Sequence, residues 1–385
     1  MAGRANTKSA NKKGAGKTRK FTNGENEDEG VTPADVFLDQ VTNRLTDRKM
    51  QEDMYSKVIE PATWNSSTFE EWHKNHKPER PVVPIFEMKH QERIALPKIE
   101  GATGPEANTW IHAHYVQMDR QDYILAQSVF EEEVVNFWRM VYQDDCPLVV
   151  CLLAPKEFST TDRKLCFPYW PKTAKDNIVI GKDLVKVEFK NKKEAKQWVI
   201  YDLQLMVNSG PKEKEADGED DPGNVVKSVT LYHYTEWADE TYPDPTAFGD
   251  FVKIVSTRLA EVNKTPVNEY YPPLILQSHS TLHRASTVLA LITMCGDIDR
   301  RDGFDPPAVA LELARYRPGA LSARFSYLTF YAVSIRLAII NGWHPNVQEA
   351  EHFIKNLVKP LDAEKDVDEE TDSDEEGTKE RTMEK

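Results

Sequence analysis

Two rhythms of hydrophobic and polar positions run along the chain. Pro147–Ala154 (PLVVCLLA) is apolar without a break over a strand's length, as expected of a strand buried on both faces. Pro272-Pro273-Leu274-Ile275-Leu276 reads as a second buried strand, and Asn177–Val207 holds several alternating, β-branched segments. Elsewhere the period is helical. Val288, Leu289, Leu291, Ile292 and Cys295 form a stripe that predicts a helix over Arg284–Ile298. Prolines open another at Pro307–Tyr316, and Gly342 closes a further one over Leu321–Asn341. Near the start, Thr32-Pro33 supplies an N-cap and first turn for a helix with Phe37, Leu38, Val41 and Leu45 on one face. Ser67 with Glu70 makes a capping box for a helix carrying Phe69 and Trp72. Strands and helices intermix and no internal repeat appears, so the pattern predicts one α/β domain over residues 31–361.

Polar stretches bound and interrupt that domain. Residues 1–20 carry seven Lys or Arg and no acid, and a short acidic stretch follows, so residues 1–30 are expected to form a disordered arm. Residues 362–385 hold twelve acids against four bases and are expected to be a disordered acidic tail. Ser209–Gly223 holds six acids against two lysines between two strand-like runs and reads as a long hairpin loop. The formal charge of the 385 residues is −14, and most of that acidity falls in these stretches, which argues against general nucleic-acid binding. The basic arm lacks interleaved aromatics and an amphipathic face, so no specific nucleic acid is expected there. Gly14-Ala15-Gly16-Lys17-Thr18 is similar to the end of a phosphate-binding loop, but the motif's first glycine falls on Asn11 and no strand precedes it. Ser373 with Asp374-Glu375-Glu376 has the look of a site for an acidophilic kinase.

Apolar residues make up 39% of the chain, yet the longest apolar runs are far shorter than a bilayer span, so no membrane span is expected. Cys146, Cys151, Cys166 and Cys295 lack metal-ligand or paired spacing, and no charged-then-apolar leader opens the sequence. The expectation is a cytoplasmic protein, with a nuclear one open, with buried thiols, no metal and no cofactor.

A buried strand running into a short loop and a helix presents backbone N–H groups and a helix N-terminus to an anion. Here that loop is Gln277-Ser278-His279-Ser280-Thr281-Leu282-His283-Arg284. At this point the chain resembles the protein tyrosine phosphatases, whose phosphate loop reads His-Cys, five residues, Arg. Further segments from Lys89 to Gly342 agree in order: Asn108–Tyr115 is similar to the family's N-x-Y-I-N-A-S-Y segment, Tyr123–Ser128 to its following strand, and Phe137–Tyr142 to its F-W-R-M-V-W. Tyr169-Trp170-Pro171 matches Y-W-P, Trp237-Ala238-Asp239 sits where the mobile W-P-D loop belongs, and Arg317-Pro318-Gly319 matches R-P-G. The resemblance implies a twisted mixed sheet flanked by helices. Trp138, Tyr169, Trp170, Tyr327 and Tyr331 recur at family positions that carry no chemistry and are expected in the packing.

The chemistry residues depart from the family. Its members attack phosphotyrosine with a cysteine thiolate, and Ser278 stands at that position. A hydroxyl is not ionised near neutral pH and needs an adjacent base. Gln277 replaces the preceding histidine, Thr281 and His283 replace loop glycines, and Ala285 replaces the hydroxyl residue after the arginine. Ser322 and Ser326 stand for the water-positioning glutamines, and Glu92 for the tyrosine that stacks on the substrate ring. Two residues are kept: Arg284, able to pair with phosphate oxygens, and Asp239, able to act as a general acid.

The resemblance therefore implies a diverged, single-domain, non-receptor member of the kind abundant in nematodes, with a degenerate and inactive site. The role expected is that of a scaffold or regulator in phosphotyrosine signalling, with proteins as partners, among them phosphotyrosine proteins or a kinase. One alternative is a phosphotyrosine-binding module built on residues 278–284 with Arg284 as anion ligand; a second is a weakly active phosphatase. Partner identity and oligomeric state are left open.

Overall fold

The computed structural model describes residues 33–43, 48–63, 93–98, 109–162, 165–181, 184–208, 225–238, 240–264, 271–344 and 346–359. The expected basic arm, the Ser67 capping box, the 209–223 loop, the 362–385 tail, Leu45, Glu92 and Asp239 lie outside these residues.

Nine strands form one mixed sheet: β1 (Arg93–Ala95), β2 (Trp110–Met118), β3 (Gln121–Gln127), β4 (Leu148–Cys151), β5 (Ile178–Ile180), β6 (Val185–Glu194), β7 (Trp198–Val207), β8 (Val226–Tyr234) and β9 (Leu274–Ser278). Their order is β1-β2-β3-β9-β4-β8-β7-β6-β5. The four central strands β3, β9, β4 and β8 are parallel, while β2–β3 and β8–β7–β6–β5 are antiparallel. Parallel strands must be covered on both faces, which is why β4 and β9 are apolar throughout rather than alternating.

Helices supply the two covers. On one face lie α1 (Pro33–Asn43), α2 (Arg48–Met54, continued by a π turn at Tyr55–Ile59 and a short helix at Glu60–Thr63), α4 (Pro245–Val262), α5 (Ser286–Arg300), α6 (Pro306–Tyr316), α7 (Arg324–Ile340) and α8 (Val347–Leu357). On the other lies α3 (Val134–Gln143). Alternation along the strands divides the core: Leu148, Val150, Leu274 and Leu276 face the larger helical layer, whereas Val149, Cys151 and Ile275 face α3. Helix α7 is apolar on every side because α4, α5 and α8 surround it; Tyr327, Leu328, Phe330, Tyr331, Val333, Ile335 and Leu337 are all buried. Each such side chain contributes about 1.5–3 kcal/mol by leaving water.

The chain punctuation reads as expected, with shifted bounds. Asp244 and Asp305 cap α4 and α6 through Ala247 N and Ala308 N, each just ahead of a first-turn proline. Gly342 (φ 75°) lets the chain turn back after α7, with Trp343 N donating to Ala338 O at 2.9 Å. The strand within the run Pro147–Ala154 is Leu148–Cys151; Leu152 and Leu153 are buried beyond it, with Leu152 N donating to Gln277 O at 2.9 Å. The strand expected at 272–276 is Leu274–Ser278, so Ser278 is its last laddered residue. The helix expected from Arg284 begins at Ser286, after a π turn over Thr281–Ala285. The helix expected from Leu321 starts at Arg324, because Leu321 adopts a left-handed conformation (φ 57°) and donates its N–H to Leu282 O at 2.8 Å. Trp138, Tyr169, Trp170, Tyr327 and Tyr331 are buried as expected, and so are all four cysteines.

Gly249 in α4 marks the closest approach of α4 to α7: a Cβ built there meets Arg336 Cγ at 2.8 Å and Ile340 Cδ1 at 3.5 Å. Ala gains helix propensity of about 1 kcal/mol over Gly, but the overpacking term is about 1–3 kcal/mol. Gly249→Ala is therefore expected to leave stability unchanged or lower it by up to about 2 kcal/mol, and Gly249→Leu to lower it by more. Urea unfolding checks this; a Gly249→Leu protein as stable as wild type would overturn the close approach.

Candidate functional site

Strand β9 emerges between β3 and β4 at the C-terminal edge of the parallel strands, where open α/β sheets gather ligand-binding loops. Its last residue, Ser278, is fully buried. The Ser278 hydroxyl donates to the carbonyl of Ser280 at 2.5 Å and accepts from Ala285 N at 3.3 Å. The Ser280 hydroxyl in turn accepts from Leu282 N at 3.1 Å. Two loop amides that an anion would use are thus turned onto the loop's own serines. Ser286 Oγ closes the turn by donating to Thr281 O at 2.5 Å.

His279 and His283 are partly exposed. His283 lies against the Phe325 ring, and its Nδ1 faces Ser326 Oγ at 3.5 Å, so it is directed at α7. Ser326 is buried in the first turn of α7, and the carbonyl of Ser322 accepts from Tyr55 of the π turn after α2. Thr281, where the family carries a glycine, is buried, and its hydroxyl accepts from Nη2 of Arg317 at 2.8 Å. Gln277 is buried beneath the loop. Its carbonyl oxygen Oε1 accepts from the Tyr169 hydroxyl, and its Nε2 donates to Gln127 O at 3.2 Å.

Arg284 is only 1% exposed. Its guanidinium forms a fork-on-fork pair with Glu157, Nη1 to Oε2 and Nη2 to Oε1, both at 2.7 Å. Nη1 also donates to Leu152 O at 2.7 Å and Trp237 O at 2.8 Å. The carboxylate of Glu157, itself 14% exposed, occupies the geometry in which this arginine would grip two phosphate oxygens. The segment after β8 is tied back the same way: Trp237 Nε1 donates to Thr241 O at 2.9 Å and Thr241 Oγ1 to Ala238 O at 2.7 Å.

The structure thus brings together Ser278, His279, Ser280, Thr281, Leu282, His283, Arg284 and Ser326 around one loop. Glu157 escaped the sequence reading. Its signal was position: an acid in Pro155-Lys156-Glu157, directly after a buried strand that neighbours the arginine's own strand.

The thiols offer no replacement nucleophile of the usual kind. Burial pushes Cys151 up to about 12 although Tyr169 and Arg284 lie near it. Burial likewise raises Cys295, which sits in α5 with its sulfur 3.8 Å from Lys253 Nζ, and it raises Cys146 and Cys166 well above the ordinary range. Reactive cysteines need the opposite shift.

A family model described as Protein-tyrosine phosphatase matches residues 74–336. That is more than half of the chain, which belongs to the protein-tyrosine phosphatase family. "Probable tyrosine phosphatase protein N1" of Microplitis demolitor bracovirus (isolate Webb) is 23% identical over 262 residues, covering 67% of this chain and 76% of that protein. "Tyrosine phosphatase-like protein J1" of the same virus is 26% identical over 270 residues, covering 67% and 80%. "Receptor-type tyrosine-protein phosphatase C" of Homo sapiens is 23% identical over 282 residues, 71% of this chain but 20% of the relative, so the chain spans about a fifth of that larger protein.

Two predictions follow from the charges around the loop. Breaking a buried ion pair leaves an uncompensated charge, at a cost of about 3–5 kcal/mol, whereas replacing both partners by apolar groups costs less. Glu157→Ala is expected to lower unfolding free energy by about 3 kcal/mol or more, and Arg284→Met with Glu157→Leu by less than Glu157→Ala alone. The reverse ranking in urea titrations would overturn the pairing. The second concerns His114, which is fully buried on β2; neither of its ring nitrogens has a hydrogen-bond partner among the described residues. Burial, with Arg317 adding to it, holds its pKa well below 6.5. A depressed histidine contributes stability above the unfolded pKa and loses it as the pH falls below that value. Between pH 7.5 and 5, wild type should therefore lose about 1–2 kcal/mol more stability than His114→Leu. Parallel stability curves for the two proteins would contradict this.

Proposed function

We propose that this chain is a catalytically inactive member of its family that serves as a scaffold or regulator in phosphotyrosine signalling within the cytoplasm. The observation that carries this reading is the serine at the nucleophile position. Ser278 Oγ gives its proton to the carbonyl of Ser280, and a carbonyl cannot act as the base that attack by a hydroxyl requires. The carboxylate of Glu157 on Arg284 and the side chains of Thr281 and His283 at glycine positions support it further. The relatives' names refer to phosphatases; that activity needs a thiolate this loop does not offer. Among the described residues no helix is long and apolar enough to cross a membrane.

Purified protein is expected to leave a phosphotyrosine peptide unhydrolysed. Ser278→Cys alone should stay at least about a thousandfold below an active family enzyme, since the charge, positioning and donor contributions to such catalysis each amount to factors of ten to a thousand. Turnover by wild type that falls on Ser278→Ala would sink the inactive reading, and robust turnover by Ser278→Cys would show that the cradle is intact. Calorimetry with the phosphorylated and unphosphorylated peptides separates the remaining reading: tighter binding of the phosphorylated form, lost in Arg284→Ala, would make the chain a phosphotyrosine-binding module.

A further inference from the structure

The segment between β4 and the start of β7 is charged oppositely to the rest of the chain. Residues 155–198 hold eleven Lys or Arg against six acids, within a chain of net charge −14. Topology places Lys156 and the β6–β7 turn, with Lys192, Lys193 and Lys196, at one end of the sheet, whereas Lys186 opens β6 at the other. β8 runs parallel to β4, and Tyr234 at its C-terminal end pairs with Trp198 at the start of β7, so the β6–β7 turn lies at the same edge as the loop after β9. The carbonyl of Gln197 in that turn accepts from Thr235 N at 2.9 Å and Thr235 Oγ1 at 3.0 Å, two residues ahead of Trp237.

Lys190, Lys192, Lys193 and Lys196 are exposed at this end of the hairpin. Lys156 follows β4 directly, and Lys172 Nζ lies 5.8 Å from the ring centres of both Phe158 and Trp170. Lys190 and Lys192 pair with Glu188 and Glu194. Among the described residues no ion pair falls on Lys156, Lys172, Lys175, Lys193 or Lys196. A rim of this kind raises the local potential and favours an anionic chain.

Two acidic segments of this chain are candidates, and net charge ranks them. The 209–223 loop joins β7 to β8 at the far end of those strands. A ten-residue strand such as β7 is about 33 Å long. A loop from 208 to 225 must go out and return, so it reaches at most about 30 Å, enough for Lys193, which pairs with Ile200 well inside β7, and it holds six acids against two lysines. Residues 362–385 carry twelve acids against four bases. The described residues ahead of them end at Lys359, whose carbonyl accepts from Arg48 Nη1 at 3.3 Å. Arg48 pairs with Glu52, and Glu52 faces Arg324 at 3.5 Å, at the start of α7 beside the loop. The chain therefore leaves on the loop's side of the molecule. The 26 residues that follow span up to about 86 Å, several times the roughly 19 Å that separates β9 from β6 at strand spacing.

We propose that residues 362–385 dock on the lysine rim formed by Lys156, Lys172, Lys175, Lys193 and Lys196. The contact goes beyond the reading of the loop and stands whether or not the loop turns over substrate. Tethering gives the segment an effective concentration in the millimolar range, so a weak, salt-sensitive contact is enough to hold the rim against other acidic partners.

Zero-length carbodiimide cross-linking of the full chain at 50 mM salt, read by peptide mass mapping, tests this. Links from the carboxylates of 362–385 are expected at Lys172, Lys175, Lys193 and Lys196 at five times or more the yield at Lys57 and Lys264, and they should fade at 0.5 M salt or in Lys175→Glu/Lys193→Glu/Lys196→Glu. Links spread evenly over exposed lysines, or unchanged in that variant, overturn the proposal. Links that form only between chains, seen by mixing isotope-labelled and unlabelled protein, overturn it in favour of a second copy. A second readout is acetylation by a neutral amine-reactive ester. Changing the acids of 362–376 to Asn and Gln should speed the reaction at Lys193 and Lys196 about threefold or more, and unchanged rates count against docking.

Discussion

The buried guanidinium of Arg284 is the group on which the loop region depends. A charge this far from water persists only if its hydrogen-bonding groups are met. Here they are met from three places in the chain: Glu157 and Leu152 after β4, and Trp237 after β8. One side chain thus pins the connection following β4 and the connection following β8 to the start of the helix that follows β9. The same pairing decides what the arginine is able to do. A phosphate arriving at Arg284 meets a carboxylate already in the bidentate position. Like unit charges 4 Å apart repel by roughly 4 kcal/mol at an effective dielectric of about 20, more for a dianion, which is comparable to what the guanidinium can return.

The substitutions around the loop are mutually consistent. Gln277 is satisfied by Tyr169 and Gln127. Thr281 adds a hydroxyl in place of a glycine, and Arg317 donates to it. Ser278 and Ser280 accept the two loop amides that would otherwise face outward. The polar atoms of Gln277, Ser278 and Thr281 thus find partners inside the fold, which is the condition for a buried polar loop to be stable without a ligand. The strand, turn and helix are held by apolar packing of their own: Leu282, Ala285, Val288 and Leu289 are all buried.

Much of this fold was legible in the sequence, and the failures have identifiable causes. Unbroken apolar runs marked β4 and β9, and proline and glycine marked ends of α6 and α7, because those signals are local; α4 was not read from the sequence. Pro147–Ala154 overstated a four-residue strand because, although Leu152 N still donates to Gln277 O of β9, the carbonyls of Leu152 and Leu153 accept from the side chains of Arg284 and His233 rather than from a neighbouring strand. Leu321 appeared to open a helix because it is apolar at the right spacing, yet its amide is spent on Leu282 O, a partner 39 positions away that no local pattern reveals. Likewise the list of altered site residues was readable, whereas the partner of Arg284 was not: Glu157 lies 127 positions upstream and meets it only because β4 and β9 are adjacent.

This separates two kinds of inference that a shared fold tends to merge. The position of a loop at the C-terminal edge of parallel strands follows from topology, and this chain has it. Whether the loop receives an anion depends instead on where its donors point, and that depends on a few hydroxyls and one carboxylate. In this chain the amides of Leu282 and Ala285 and the fork of Arg284 all terminate on protein oxygen. Following individual donors therefore discriminates where likeness of fold does not: a donor that already ends on a protein oxygen gains little by turning to a ligand, since the new bond displaces an existing one of similar strength.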